Sequence, residues 1–144
     1  MSKKQNLSRS EIRDSAFKLI FEQLLRDDDI AELYEIAEEV DEIHVDDEVK
    51  KMVGGAIEHS EELDGIISNY SKTRKISRIS KLNHAILRLA LYECIYDENT
   101  PDNAAISEAV KLASTYSYKE DASFVNGVLG AFSRDRNSGE SKNA

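Results

Sequence analysis

Lys3, Lys4, Arg9 and Arg13, near the front of the chain, are the residues best suited to gripping a polyanion. Arg9 and Arg13 stand four apart, so on a helix they share a face, and Lys18 follows on the same predicted helix. A guanidinium can hold phosphate through two parallel hydrogen bonds, and its plane can stack on an unpaired base. Lysines on an arm ahead of arginines on a helix suit single-stranded RNA, where the backbone supplies affinity and exposed bases supply specificity. The same residues fit a solvated helix face on which Arg9 and Arg13 pair with Glu11 or Asp14. On the residues alone, both readings stand.

Other chemistry is poorly supported. His44, His59 and His84 share no ligand spacing with one another or with Cys94, which argues against a metal site. No Gly-x-Ser-x-Gly elbow, dinucleotide fingerprint or P-loop pattern occurs, and Gly54-Gly55 follows no strand. The carboxylates crowded into 27–64 read as solvated helix faces. Neither an enzymatic activity nor a cofactor is expected. Cys94 cannot form an internal disulfide and lies in the most apolar segment, which suits a buried hydrophobe. No segment approaches the roughly 20 apolar residues of a membrane span, and the start lacks the apolar run of a secretory signal. A cytoplasmic protein is the expectation.

By its sum, the net charge of -9 argues against nucleic acid, but its distribution matters more. Residues 1–26 hold six basic groups against three acids, and 27–66 hold sixteen acids against Lys50 and Lys51. Residues 71–92 carry Lys72, Arg74, Lys75, Arg78, Lys81 and Arg88 with no acid. Screening over about 10 Å lets a local basic face act independently of the whole. This pattern fits a phosphate-binding face and fits equally well a set of solvated helix faces.

The elements that position these groups read as helices throughout. Ser8-x-x-Glu11 is a capping box, and Ile12, Ala16, Leu19, Ile20 and Leu24 stripe the helix that follows. Asp27-Asp28-Asp29 ends it and starts a second helix running to Val40. Residues 46–70 repeat at helical spacing as one helix or as two broken near Ser60, with Gly54-Gly55 suited to close helix packing. A basic connector over 71–79 is the expected hinge. The helix over 80–96 is apolar on nearly every side and should be central. Residues 97–103 read as a turn, with Pro101 disfavouring helix at Thr100. A helix with Ala105, Ile106, Ala109, Val110, Ala113 and Tyr116 follows, and Phe124, Val125, Val128, Leu129 and Phe132 stripe the last. The expected fold is all-α, about seven helices in two packed sub-bundles. Residues 1–7 are expected as a flexible basic arm and 8–133 as one domain (sub-bundles about 8–70 and 80–133). Residues 134–144 read as a disordered tail.

Three segments carry a resemblance: Leu82-Asn83-His84-Ala85-Ile86-Leu87-Arg88-Leu89-Ala90-Leu91-Tyr92-Glu93, Ala105-Ile106-Ser107-Glu108-Ala109-Val110-Lys111-Leu112-Ala113, and Phe124-Val125-Asn126-Gly127-Val128-Leu129. In this order and spacing the chain resembles the NusB family of bacterial transcription antitermination factors, across residues 8–133. The resemblance implies an all-helical adaptor that binds boxA RNA with NusE, a small-subunit ribosomal protein. It implies loading onto RNA polymerase with other Nus factors, notably on ribosomal RNA operons. Some relatives self-associate, so a homodimer is compatible with it. It also implies RNA contacts for the arm and first helix. There Arg9 and Arg13 fall on the family's Arg-Arg-x-Ala-Arg-x-x-Ala pattern, with serines in place of further arginines. Asn83 and His84 at the start of the central helix, and Ser123 and Phe124, match regions near the family's RNA path. Phe124 suits either core packing or a base platform. Asn126 and Gly127 are expected to be structural, the glycine allowing close helix approach, and Glu93 should be paired, with Arg88 or another group. The expected RNA-binding set is therefore Lys3, Lys4, Arg9, Arg13, Lys18, Asn83, Ser123 and Phe124. Replacing Arg9 and Arg13 by alanine is expected to weaken RNA binding without unfolding the helix. The rival expectation is a protein-interaction module of the same fold with weak or no RNA binding.

Overall fold

The computed structural model describes residues 7–27, 29–40 and 43–142, with side chains to residue 138. Lys3 and Lys4 lie outside the described residues. Seven α-helices and one short 3₁₀ turn make up the regular structure there, with no strand among the described residues. They are α1 (Arg9–Arg26), α2 (Ile30–Ala37), α3 (Asp47–Glu58), α4 (Ser60–Tyr70), α5 (Lys81–Tyr96), α6 (Asp102–Tyr116) and α7 (Lys119–Lys142); the 3₁₀ turn is Ile76–Arg78.

Side-chain caps set most of the starts. Ser8 accepts from Glu11 N at 3.1 Å while Glu11 accepts from Ser8 N at 3.0 Å, the reciprocal box expected from the spacing. Asp29, Asp46 and Ser80 cap α2, α3 and α5 one way only, each side chain accepting from a first-turn backbone N–H. α1 ends at Asp27, whose φ of 53° is the left-handed turn that closes a helix.

α5 is the hub. Eleven of its sixteen residues are buried, so an apolar side must face a neighbour in almost every direction. It packs against α1, α3, α4, α6 and α7. Ile86, Leu87 and Leu91 are fully enclosed, together with Ile20, Val53, Leu63 and Leu129 from the surrounding helices. Burying each such side chain stabilises the fold by about 1.5–3 kcal/mol. Cys94 is buried in this helix, and burial, with Asp102 nearby, pushes its thiol up to about 12; it packs as a small hydrophobe.

Residues 46–70 form two helices, hinged at His59 (φ -98°, ψ 17°). The hinge redirects an apolar stripe: α3 lies on α1 and α5, whereas α4 lies on α5 and α7. Gly55 makes the close approach expected of the glycine pair. A Cβ there would stand 2.2 Å from the Tyr92 ring, whereas one on Gly54 would meet open space. Gly127 is exposed and its missing Cβ would also meet nothing within 4 Å, so it brings no helices together.

The chain does not leave the helical path near Ser133. α7 runs on to Lys142 because polar groups tie the extension down. Ser133 donates to Asp102 at 3.0 Å, Tyr70 donates to Asp135, and Arg136 donates to the Cys94 carbonyl at 2.8 Å. Low apolar content hid these contacts from the periodicity.

Candidate nucleic-acid interface

The first turns of α1 lie across the C-terminal half of α5 and along α6, and this decides the fate of the two arginines. Arg13 is only 7% exposed. Its Nε–H lies 2.9 and 2.8 Å from the two oxygens of Glu93, itself 1% exposed, and Nη1 donates to Glu108 at 3.2 Å. Burial acts to lower the Arg13 pKa and is outweighed by hydrogen bonds and charge from Glu93 and Glu108, so the cation is held more firmly than usual. Glu108 is drawn down in turn, by a hydrogen bond from Ser10 and, against burial, by Arg13. Arg13 therefore joins α1 to α5 and α6 rather than presenting itself to a ligand. Glu93 finds its partner eighty residues away, not in Arg88.

Arg9 is different. Its side chain is 43% exposed and bonds Asp97 at 2.8 Å and Glu93 at 3.4 Å, with Glu48 at 3.6 Å. It borders a groove of about 730 Å³ lined also by Lys51, Tyr92, Tyr96, Asp97 and Pro101. Exposed ion pairs of this kind are weak, so Arg9 can exchange a carboxylate for a phosphate at small cost. Lys18, one helix face away, holds Asp14 at 2.8 Å and sits 5.8 Å from the Tyr116 ring centroid. Tyr116 donates to the same Asp14 at 2.6 Å.

The remaining expected residues gather around the N-terminal end of α5. Asn83 is completely buried, and neither side-chain polar atom meets hydrogen-bond geometry, although the amide helps to lower the Asp121 carboxyl. Enclosed in this way, it cannot touch RNA, which corrects the expectation. His84 lies 2.7 Å from Asp64, and Arg88 clamps the same carboxylate at 2.9 and 2.7 Å. Burial acts to raise the Asp64 pKa; hydrogen bonds from Arg88 and His84 win, holding it at about 2.

Ser123 is exposed and Phe124 half-buried. Arg74 lies 4.2 Å above the Phe124 ring and donates to Asp121 at 3.1 Å. Phe124 is thus part core and part platform, with an arginine plane as its outer layer. Ser117 donates to Asp121 as well, lowering its pKa with help from Arg74. The sequence placed Arg74 only among connector charges, because a ring fifty residues away gives no local signal.

The structure thus separates two clusters, one with Arg9 and Arg13 at the C-terminal half of α5 and one with Ser123, Phe124 and Arg74 near its start. Among the described residues no group of three metal-ligating side chains comes together, and no helix is long and apolar enough to cross a membrane. These features define an all-helical protein whose first helix is joined to its fifth by a buried ion pair. The NusB family model matches residues 10–134, and the chain belongs to that family. Its relatives are transcription antitermination proteins, not enzymes. One, the transcription antitermination protein NusB of Acetivibrio thermocellus, is 40% identical over 126 residues, covering 86% of this chain and 87% of that protein. A crystal structure of the antitermination factors NusB and NusE in complex with dsRNA holds a chain 31% identical. There the TM-score is 0.76, with 85% of this chain and 93% of that one covered. NusB of T. maritima gives a TM-score of 0.77 at 28% identity, covering 90% and 93%.

Proposed function

We propose that this chain is a cytoplasmic transcription antitermination factor. It binds boxA-type single-stranded RNA together with NusE and reaches RNA polymerase indirectly, with other Nus factors, to promote processive transcription, notably of ribosomal RNA operons. The observation that carries this reading is the likeness, over most of both chains, to a NusB solved with NusE and dsRNA. Arg9 and Ser123 supply exposed contacts, the half-buried Phe124 acts through the Arg74 plane stacked on it, and Lys3 and Lys4 add basic charge ahead of Arg9 in the sequence. Arg13 and Lys18 act from beneath, holding α1 in place.

The second reading, a protein-interaction module with weak or no RNA binding, is favoured by one observation: the α1 arginines are already matched by carboxylates. A gel-shift titration of boxA-like RNA at low salt, with and without NusE, separates the two. The antitermination reading expects binding that tightens when NusE is added. Arg9→Ala should weaken it several-fold and lower the salt slope by about 0.7, one phosphate contact on a single strand. Absence of binding in both conditions would establish the interaction module instead.

A further inference from the structure

The connector between α4 and α5 holds a regularity that the helices around it do not explain. Its cations Lys72, Lys75 and Arg78, continued by Lys81 at the first position of α5, recur at every third residue, and all four are exposed. The backbone makes that spacing meaningful. Lys75 (φ -68°, ψ 149°), Ile79 (φ -79°, ψ 130°) and Ser80 (φ -59°, ψ 150°) are close to polyproline II, and Ile76–Arg78 is a 3₁₀ turn. Both conformations return to the same side every three residues. The complementary row confirms the phase: Ile79 is buried, while Ile76 and Leu82 are half-buried and packed on the core. Pinning the apolar row inward turns Lys75, Arg78 and Lys81 outward, while Lys72 is exposed in the bend over 72–74.

We propose that Lys72, Lys75, Arg78 and Lys81 form one phosphate-binding row that carries the backbone of bound RNA past the Arg74–Phe124 stack. The proposal rests on the RNA-binding reading above and locates its main electrostatic contact. Elsewhere Arg9, Arg13, Lys18, Arg26, Arg74, Arg88 and Arg136 all have acidic partners, and Arg134 is the one further described arginine with no ion pair among the described residues. None of the four row cations forms an ion pair among the described residues, and 71–92 contains no acid to supply one. Three residues rise roughly 6 Å along a 3₁₀ path and about 9 Å along polyproline II, so the backbone positions of Lys75, Arg78 and Lys81 repeat on the scale of successive phosphates in an extended strand. One planar group lies within the connector, the Arg74 guanidinium over Phe124, and Tyr118 is 76% exposed on the loop before α7. Cations in a row beside stackable planes are what a single strand requires, and an acidic protein surface has no use for the planes.

The test compares the wild-type chain with the fourfold variant Lys72→Ala, Lys75→Ala, Arg78→Ala and Lys81→Ala. Each binds a boxA-like RNA oligonucleotide across a series of salt concentrations, with and without NusE, while circular dichroism monitors the fold. Four lost contacts should lower the slope of log affinity against log salt by about 3 and weaken low-salt binding by about a hundredfold or more. If the fourfold variant loses helical signal, Lys72→Gln with Lys81→Gln reads the same quantity, with an expected slope change of about 1.4. Equal affinity and slope in wild type and variant would overturn the row and leave the RNA-binding reading intact. Loss of NusE binding with RNA binding unchanged would assign the row to a protein partner and overturn it too. No RNA binding by the wild type, alone or with NusE, would overturn both.

Discussion

Arg13→Ala lowers the unfolding free energy by about 3–5 kcal/mol, because it strands the buried Glu93 carboxylate without its cation. Arg9 reaches Glu93 only at 3.4 Å and from a half-exposed position, so it compensates little. Glu93→Leu should cost less, because Arg13 keeps Glu108 at 3.2 Å. Arg13→Met together with Glu93→Leu should regain most of the loss, since replacing a whole buried pair by apolar groups is often neutral. Urea denaturation of the wild type, Arg13→Met, Glu93→Leu and the double variant provides the cycle. Two single losses that simply add in the double variant would show that the pair is not coupled. The same geometry alters what an Arg9→Ala, Arg13→Ala double variant means. Its loss of RNA binding would report a loosened α1 as much as lost contacts, so Arg9 has to be tested alone.

Acid should remove stability through Asp64. Its folded pKa, at about 2, lies below the ordinary carboxylate value, so its contribution is fully present above about pH 4 and is lost as pH falls towards 2. The difference amounts to about 2 kcal/mol for this largely covered group. Asp97, Glu108 and Asp121 are also lowered and titrate in a similar direction, so a comparison with Asp64→Asn is needed to isolate this carboxylate. The stability gap between wild type and Asp64→Asn should be about 2 kcal/mol at pH 6 and close to zero at pH 2. A gap of constant size across that range would show that the Arg88–His84 clamp does not set the acid limit.

Most of the fold was legible because its signals are local. Ser8 with Glu11, the aspartates at 27–29 and Asp46 announce helix ends through side chains that reach three residues. The all-round apolar pattern of 82–94 could only belong to a central helix. The site was less legible because its partners are distant in sequence. Glu93 was recognised as needing a cation, but nothing near it pointed to Arg13 rather than Arg88. Asn83 and Gly127 occupy resemblance-bearing segments, yet one is sealed in the core and the other stands in open space. Neither result follows from residue type. The helical extension beyond Ser133 was missed for the same reason: it is held by Asp102, Tyr70 and the Cys94 carbonyl rather than by an apolar stripe. The three-residue period of the connector was present in the sequence throughout. It acquires meaning only once the backbone is known to be 3₁₀ and polyproline II rather than α-helix.

The account divides the arginines into those that build the fold and those that meet RNA. The most direct check is the arginine side-chain Nε–H spectrum of the nitrogen-15-labelled chain, recorded before and after addition of boxA-like RNA. The Arg13 resonance should stay in place, shielded on Glu93, while those of Arg9, Arg74 and Arg78 move. A large shift at Arg13 with Arg74 and Arg78 unmoved would contradict the division and return the RNA to the buried face of α1.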